Sequence, residues 1–170
     1  MNPAVTIHDF RDELAPHFAR INTQWLEAMY RIEPTDRAVL DHPRAHIVDP
    51  GGAILFAEAD GLGIVGTCAL QASAPGRFEL TKMGVLGSAR GLGVGAVLLD
   101  AVIARAGTMG AELLYLLSNR KSAAAIRLYE RAGFVHDAGI MADYGARYER
   151  CDVAMRYTGA LASRSAPSKL

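Results

Sequence analysis

The stretch Leu80-Thr-Lys-Met-Gly-Val-Leu-Gly-Ser-Ala-Arg-Gly-Leu-Gly-Val-Gly-Ala96 constrains the fold more than any other. Extended residues run into a glycine-rich turn, and the turn opens directly into an amphipathic helix. Gly91, Gly93 and Gly95 bare the backbone, so several N–H groups can converge on one point. A helix start adds unpaired N–H groups and the positive end of its dipole, and Arg90 adds a cation. This combination suits a phosphate or pyrophosphate. It is not a P-loop, because no Gly-Lys-Ser or Gly-Lys-Thr closes it. A dinucleotide fingerprint fits as Gly91, Gly93 and Ala96, with Glu112 near the expected acidic position. The context disagrees: such an acid ends a strand, whereas Glu112 stands before the apolar run Leu113–Leu117. Glu79–Met83 is also half polar where a short apolar strand should precede the glycines.

Strand and helix patterns surround this stretch. Ala4–His8 is a strand candidate. After Pro16, the residues Phe18, Ile21, Trp25 and Met29 recur at helical spacing and predict a helix to about Tyr30. Pro34 pushes Glu33 out of helical geometry, and a second short helix is predicted from Asp36 to Asp41. His42 and His46 have Pro43 between them and no His-Glu-x-x-His pattern, so they read as loop histidines rather than a zinc pair. Ala53–Glu58 and Ile64–Gln71 flank the hairpin turn Asp60–Gly63. Phe78–Val85 is the next strand, and Gly84 inside it predicts a bulge. Leu98, Leu99, Val102, Ile103 and Ala106 share one helical face. Leu113–Leu117 reads as a buried parallel strand. A polar loop, Ser118–Ser122, leads to a helix over Ala123–Ala132 that Gly133 stops. Val135–Ala138 and Cys151–Tyr157 are the last strand candidates, with a loop-rich tract, Gly139–Arg150, between them. This order predicts an α/β (α+β) domain: a single mixed, mostly antiparallel twisted sheet with helices on both faces.

At 170 residues, 51% of them hydrophobic, the chain reads as one domain over residues 1–160. Residues 161–170, mostly serine, alanine and basic residues, read as a flexible C-terminal tail. The formal net charge of zero argues against a nucleic-acid or membrane-surface partner. Met1–Ala4 carries no basic region or apolar run of the signal-peptide kind. Cys68 and Cys151 lie far apart without a Cys-x-x-Cys, which predicts buried free thiols in a reducing cytoplasm.

The segment Arg90-Gly-Leu-Gly-Val-Gly95 matches the pattern Gln/Arg-x-x-Gly-x-Gly/Ala. Ala125-Ile-Arg-Leu-Tyr-Glu-Arg-Ala-Gly-Phe134 contains Leu-Tyr-Glu-x-x-Gly-Phe. On these motifs the chain resembles the GNAT superfamily of N-acetyltransferases, specifically over Phe78–Phe134. The resemblance implies acetyl-CoA as co-substrate and an amine-bearing acceptor, attacked directly in a ternary complex. It implies a fourth and a fifth strand that splay apart to admit the pantetheine arm. Cofactor contacts then fall on Met83, Gly84 and Val85 of the bulged strand and on the loop Arg90, Gly91, Leu92, Gly93, Val94, Gly95 and Ala96. The family's general-acid tyrosine maps to Tyr129. An asparagine that often contacts pantetheine is replaced at its place by Ser122, and Asn119 lies three residues earlier, so either could make that contact. An attacking amine must first lose a proton. Glu79, on the strand edging the gap, is the candidate base, with Glu33 as its rival. Trp25, Tyr30 and Glu33 belong to the acceptor side. The acceptor's identity and a homodimer are both left open. The competing reading on the same fold is a non-catalytic acyl-CoA-binding or regulatory module.

Overall fold

The computed structural model describes residues 1–161. Seven strands form one sheet in the order β1-β2-β3-β4-β5-β7-β6. They are β1 (Val5–Asp9), β2 (Ala53–Ala59), β3 (Gly63–Ala74), β4 (Arg77–Val85), β5 (Leu113–Ser118), β6 (Phe134–His136) and β7 (Val153–Tyr157). Neighbours run antiparallel except β4 and β5, which are parallel. A helical crossover, α3 (Val94–Thr108), joins that parallel pair. The mixed, mostly antiparallel sheet is the one the element order implies.

Strand side chains alternate between two layers. Leu55, Ala57, Leu80, Leu114 and Leu116 face a core closed by α3 and α4 (Ala123–Ala132). Ile54 and Phe56 face the other way, against α1 (Ala15–Met29) and α2 (Pro34–Asp41). On that second face Tyr115 and Ala154 pack on Ile140 of α5 (Ala138–Tyr144). Pro16 sits in the first turn of α1, and Phe18, Ile21 and Leu26 form its buried stripe. The start of α2 is at Pro34, two residues before the expected Asp36. Glu33 and Asp36 form a reciprocal capping box that secures this earlier start, and the Glu33 N–H donates to Asp36 Oδ2 at 2.9 Å.

The structure also differs from the sequence reading elsewhere. Residues Arg44–Val48 make a π-helical turn, so His46 is helical rather than in a loop, and its ring lies 6.5 Å from that of His42. The tract read as loop-rich contains α5. Its glycines suggested a loop, but Asp137 caps the helix through Ile140 N at 3.0 Å, and Tyr144 stacks on Tyr115 at 4.2 Å. That cap also ends β6 at His136, before the expected Ala138. The bulge lies not at Gly84 but at Lys82–Met83. Thr67 pairs with Gly84 and Ala69 with Thr81, so β4 takes three steps against two on β3, and Lys82 has φ +52°. Gly84 is small for a different reason: a Cβ there would sit 2.6 Å from Trp25 Cδ1. Residues 162–170 of the expected tail lie outside the described residues, and Leu161 packs against the larger core.

Candidate active site

Pairing between β4 and β5 stops at Leu80 and Leu116. Beyond it, Thr81–Val85 and Leu117–Ser118 diverge, and a cavity of about 630 Å³ opens in the gap. The glycine loop forms one end. Gly93, at φ +79°, is the N-cap of α3, whose first turn holds no acidic residue. A side chain at Gly93 would be strained, and its Cβ would lie 2.8 Å from Asn2 Nδ2. The Gly87 N–H donates to Gln24 Oε1 at 2.9 Å, which ties the loop's approach to α1. The uncapped N–H groups that open α3, the helix dipole and the exposed Arg90 suit a pyrophosphate. Arg90, Gly91, Gly93, Val94, Gly95 and Ala96 line the cavity, as do Met83, Gly84 and Val85. Leu92 packs against the core instead.

Midway, Tyr129 of α4 lines the cavity with its ring edge-on to Phe134, 5.9 Å between centroids. Burial pushes its phenol pKa up, with the nearby Cys68 adding to the rise. Asn119 and Ser122 both line the cavity too. Asn119 Nδ2 donates to the Arg150 carbonyl at 2.6 Å, and its Oδ1 accepts from Lys121 N at 2.8 Å. Ser122 Oγ is 2.7 Å from the Tyr30 hydroxyl, and Lys121 Nζ donates to the Met29 carbonyl at 3.0 Å. These bonds hold the end of α1 against the loop between β5 and α4. Trp25 and Tyr30 thereby line the cavity, with their rings edge to face.

The far end joins Glu33 and Glu79 to three charges that the sequence did not single out, Asp36, Lys82 and Arg150. The bulge turns Lys82 towards Asp36, with Nζ to Oδ1 at 2.8 Å. Arg150 takes both Asp36 oxygens, at 2.7 and 2.8 Å, and Glu33 Oε2 at 3.0 Å. Asp36 is wholly buried. Burial alone would raise its pKa, but the Arg150 hydrogen bonds and the Lys82 charge hold it well below the usual carboxylate range. Lys82, Tyr148 and Arg150 line the cavity. The Tyr148 ring has the Lys82 ammonium 4.7 Å and the Arg150 guanidinium 4.8 Å from its centroid. Glu79 stands behind Tyr148, whose hydroxyl donates to Oε2 at 3.4 Å, with Arg147 Nε 3.5 Å from Oε1. Burial raises the Glu79 pKa, against the pull of Arg147 and Lys82. Neither Glu79 nor Glu33 is among the cavity-lining residues. Glu33 Oε1 accepts the Glu149 N–H at 3.0 Å, so both its oxygens are engaged. Cys68 is buried. Cys151 is only partly so and lines the cavity. The capping-box spacing of Glu33 and Asp36 was the only local signal for this end. Nothing local marks Lys82, Tyr148 or Arg150.

Residues 10–134 match the model of the acetyltransferase (GNAT) family. An uncharacterised N-acetyltransferase of Mycobacterium tuberculosis is 34% identical over 111 residues, 65% of this chain and 70% of that protein. The mycothiol acetyltransferase of Sanguibacter keddieii is 34% identical over 113 residues, 61% of this chain and 34% of that protein. Among solved structures, a GNAT-family acetyltransferase of Staphylococcus aureus superposes with a TM-score of 0.79 at 20% identity, covering 91% of this chain and 98% of that one. An acetyltransferase of Salmonella typhimurium, solved with its cofactor acetyl-CoA, gives 0.70 at 19% identity and covers 98% and 99%. At such identities the superpositions speak for the fold. No helix among the described residues is long and apolar enough to cross a membrane.

Proposed function

The chain belongs to the acetyltransferase (GNAT) family and is an acetyl-CoA-dependent N-acetyltransferase, and we propose that it passes the acetyl group to an amine by direct attack while donor and acceptor share one cavity. One observation carries this reading. A single cavity runs from the α3 N-terminus, past Tyr129, to Lys82, Tyr148 and Arg150. Arg90 and the N–H groups opening α3 take the pyrophosphate. Met83, Gly84 and Val85 flank the arm, with Asn119 and Ser122 opposite. Lys82 and Met83 have no register partner on β3, and β5 stops pairing at Leu80. That lack of pairing supports a role for their N–H groups in meeting negative charge that develops on the carbonyl oxygen. Direct attack is favoured over a cysteine intermediate, because burial raises the Cys151 thiol pKa and weakens it as a nucleophile.

The amine gives up a proton before it attacks. Glu79 lies off the cavity, so that proton reaches it through the Tyr148 hydroxyl. Glu33, with both oxygens engaged, holds Arg150 instead. Tyr129 faces the leaving sulfur as a hydrogen-bond donor. Its raised pKa keeps the phenol protonated and makes a shared hydrogen bond more favourable than full proton transfer. Tyr129→Phe tests this role. The ring keeps its contact with Phe134, and only the hydroxyl goes. Turnover, read as free thiol release, should fall by about a hundredfold or more, with acetyl-CoA affinity by calorimetry little changed. Equal turnover would remove Tyr129 from the mechanism.

A further inference from the structure

The charged side chains lining the cavity are Lys82, Arg90, Lys121, Arg131 and Arg150, all of them cations. Arg90 sits at the glycine loop and is accounted for by phosphate. Lys82 and Arg150 are at the other end. Lys82 is three residues, roughly 10 Å, back along β4 from Val85. Asp36 lies behind this pair, fully buried, and orients both from their rear. Its bonds with Arg150, together with the Glu33 bond, use three of the five guanidinium N–H groups. Lys82 directs one N–H to Asp36, while the Tyr148 hydroxyl stands 3.5 Å from Nζ. The site thus presents the Arg150 fork, its side chain 15% exposed, to whatever enters past Trp25 and Tyr30, with the Lys82 ammonium directly behind it, its side chain 2% exposed. No carboxylate among the described residues lines the cavity to meet a second ammonium.

We infer that the acceptor is an amine carrying a carboxylate, an amino-acid-like molecule whose anion docks on the Arg150 fork, with the Lys82 charge behind it, and whose apolar part lies against Trp25 and Tyr30. The inference rests on the acetyl-transfer reading of the same cavity. Charge-assisted bonds to a fixed fork select a carboxylate over its neutral amide, because the amide puts an N–H against a donor. A diamine is disfavoured for the same reason, since its second ammonium brings only donors to the free guanidinium N–H groups of Arg150.

The test uses the full chain with acetyl-CoA, leucine and phenylalanine against their carboxamides, and putrescine as a carboxylate-free diamine. Free thiol release reads each acceptor. The amides have the same side chains and less basic amines, so their larger unprotonated fraction works against the expected result. The acids should nonetheless exceed the amides in kcat/KM by about tenfold to a hundredfold. Arg150→Gln should bring that ratio close to one with the acetyl-CoA Kd unchanged, and Arg150→Lys should keep part of it. Amides or putrescine used as well as the acids by the unaltered protein would overturn the inference, whether or not the variants fold. If no amine turns over, the transfer reading fails separately. Calorimetry of leucine and leucinamide on the coenzyme-A-loaded protein then decides: tighter binding of leucine sustains the carboxylate site, and equal or weaker binding sinks it.

Discussion

Asp36→Asn should expose how much the fold relies on the buried charge cluster. Asp36 has no exposed surface and accepts from Lys82, from both Arg150 nitrogens and from the Glu33 N–H. Asparagine has nearly the same shape but turns one acceptor into an N–H donor and removes the negative charge. Lys82 and Arg150 then keep two buried positive charges, with Glu33 left on Arg150 and only the more distant Glu79 acting on Lys82. Removing one partner of a buried pair costs about 3–5 kcal/mol. In a chain of this size each kcal/mol moves Tm by about 2–4 °C, so the expected loss is roughly 6–20 °C at neutral pH. The difference should also depend on pH. The native Asp36 pKa is depressed, so its contribution is present above the unfolded value, near 3.9, and is lost as pH falls below that towards the native one. Thermal denaturation followed by circular dichroism from pH 7 to pH 3 should show the two proteins converging on the acid side. A Tm within about 2 °C of the unaltered protein at pH 7, or a gap that stays constant down to pH 3, would refute the assignment of Asp36 as the ion that holds Lys82 and Arg150.

Three further substitutions probe other parts of the site. Gly84→Ala places a Cβ 2.6 Å from Trp25 Cδ1 and should cost about 1–3 kcal/mol by chemical denaturation, because Asn22 holds that indole through Nε1 at 2.8 Å; unchanged stability would mean the indole moves freely. Gly93→Ala should cost about 1–2 kcal/mol for a left-handed residue and weaken acetyl-CoA in calorimetry, and unchanged affinity would exclude the loop as the phosphate site. Glu79→Gln should remove an acid limb from the pH–rate profile at an apparent pKa above the ordinary glutamate range, since burial raises that of Glu79. Ionisation of a group with a raised native pKa opposes folding as pH rises through that value, so the Gln variant should gain stability relative to the unaltered protein from acid to neutral pH. A limb that survives the substitution belongs to another group.

The sheet, its parallel pair and the helix order were legible because each is written in local periodicity: Leu113–Leu117 as a continuous apolar run, Phe18, Ile21 and Trp25 at helical spacing. α5 was not legible, because Gly139 and Gly145 argue for a loop, and the Asp137 cap, the burial of Ile140 and the stacking of Tyr144 on Tyr115 override them. The bulge falls one or two residues before Gly84, the glycine that marks it in the sequence. The positive φ falls on Lys82, a residue that rarely adopts it, and what stabilises it is an ion pair with a helix far away in sequence.

The two ends of the cavity therefore differ in kind. A pyrophosphate is met by backbone N–H groups, and backbone geometry is set by neighbours in sequence, so Arg90–Ala96 announces itself as a motif. The acceptor end is made of side chains drawn from separate elements. Glu33 and Arg150 are 117 residues apart, and neither has a local reason to be near Lys82. Only the folded sheet, with α2 on one side and the segment before β7 on the other, brings them to one point. A consequence follows for how such a chain can change its substrate. Side chains at 82, 148 and 150 can be replaced without touching the glycine loop, provided the charge of Asp36 is balanced again. Acceptor choice can then drift while cofactor binding stays fixed, and in this chain the balance struck at Asp36 leaves donors, not acceptors, facing the acceptor.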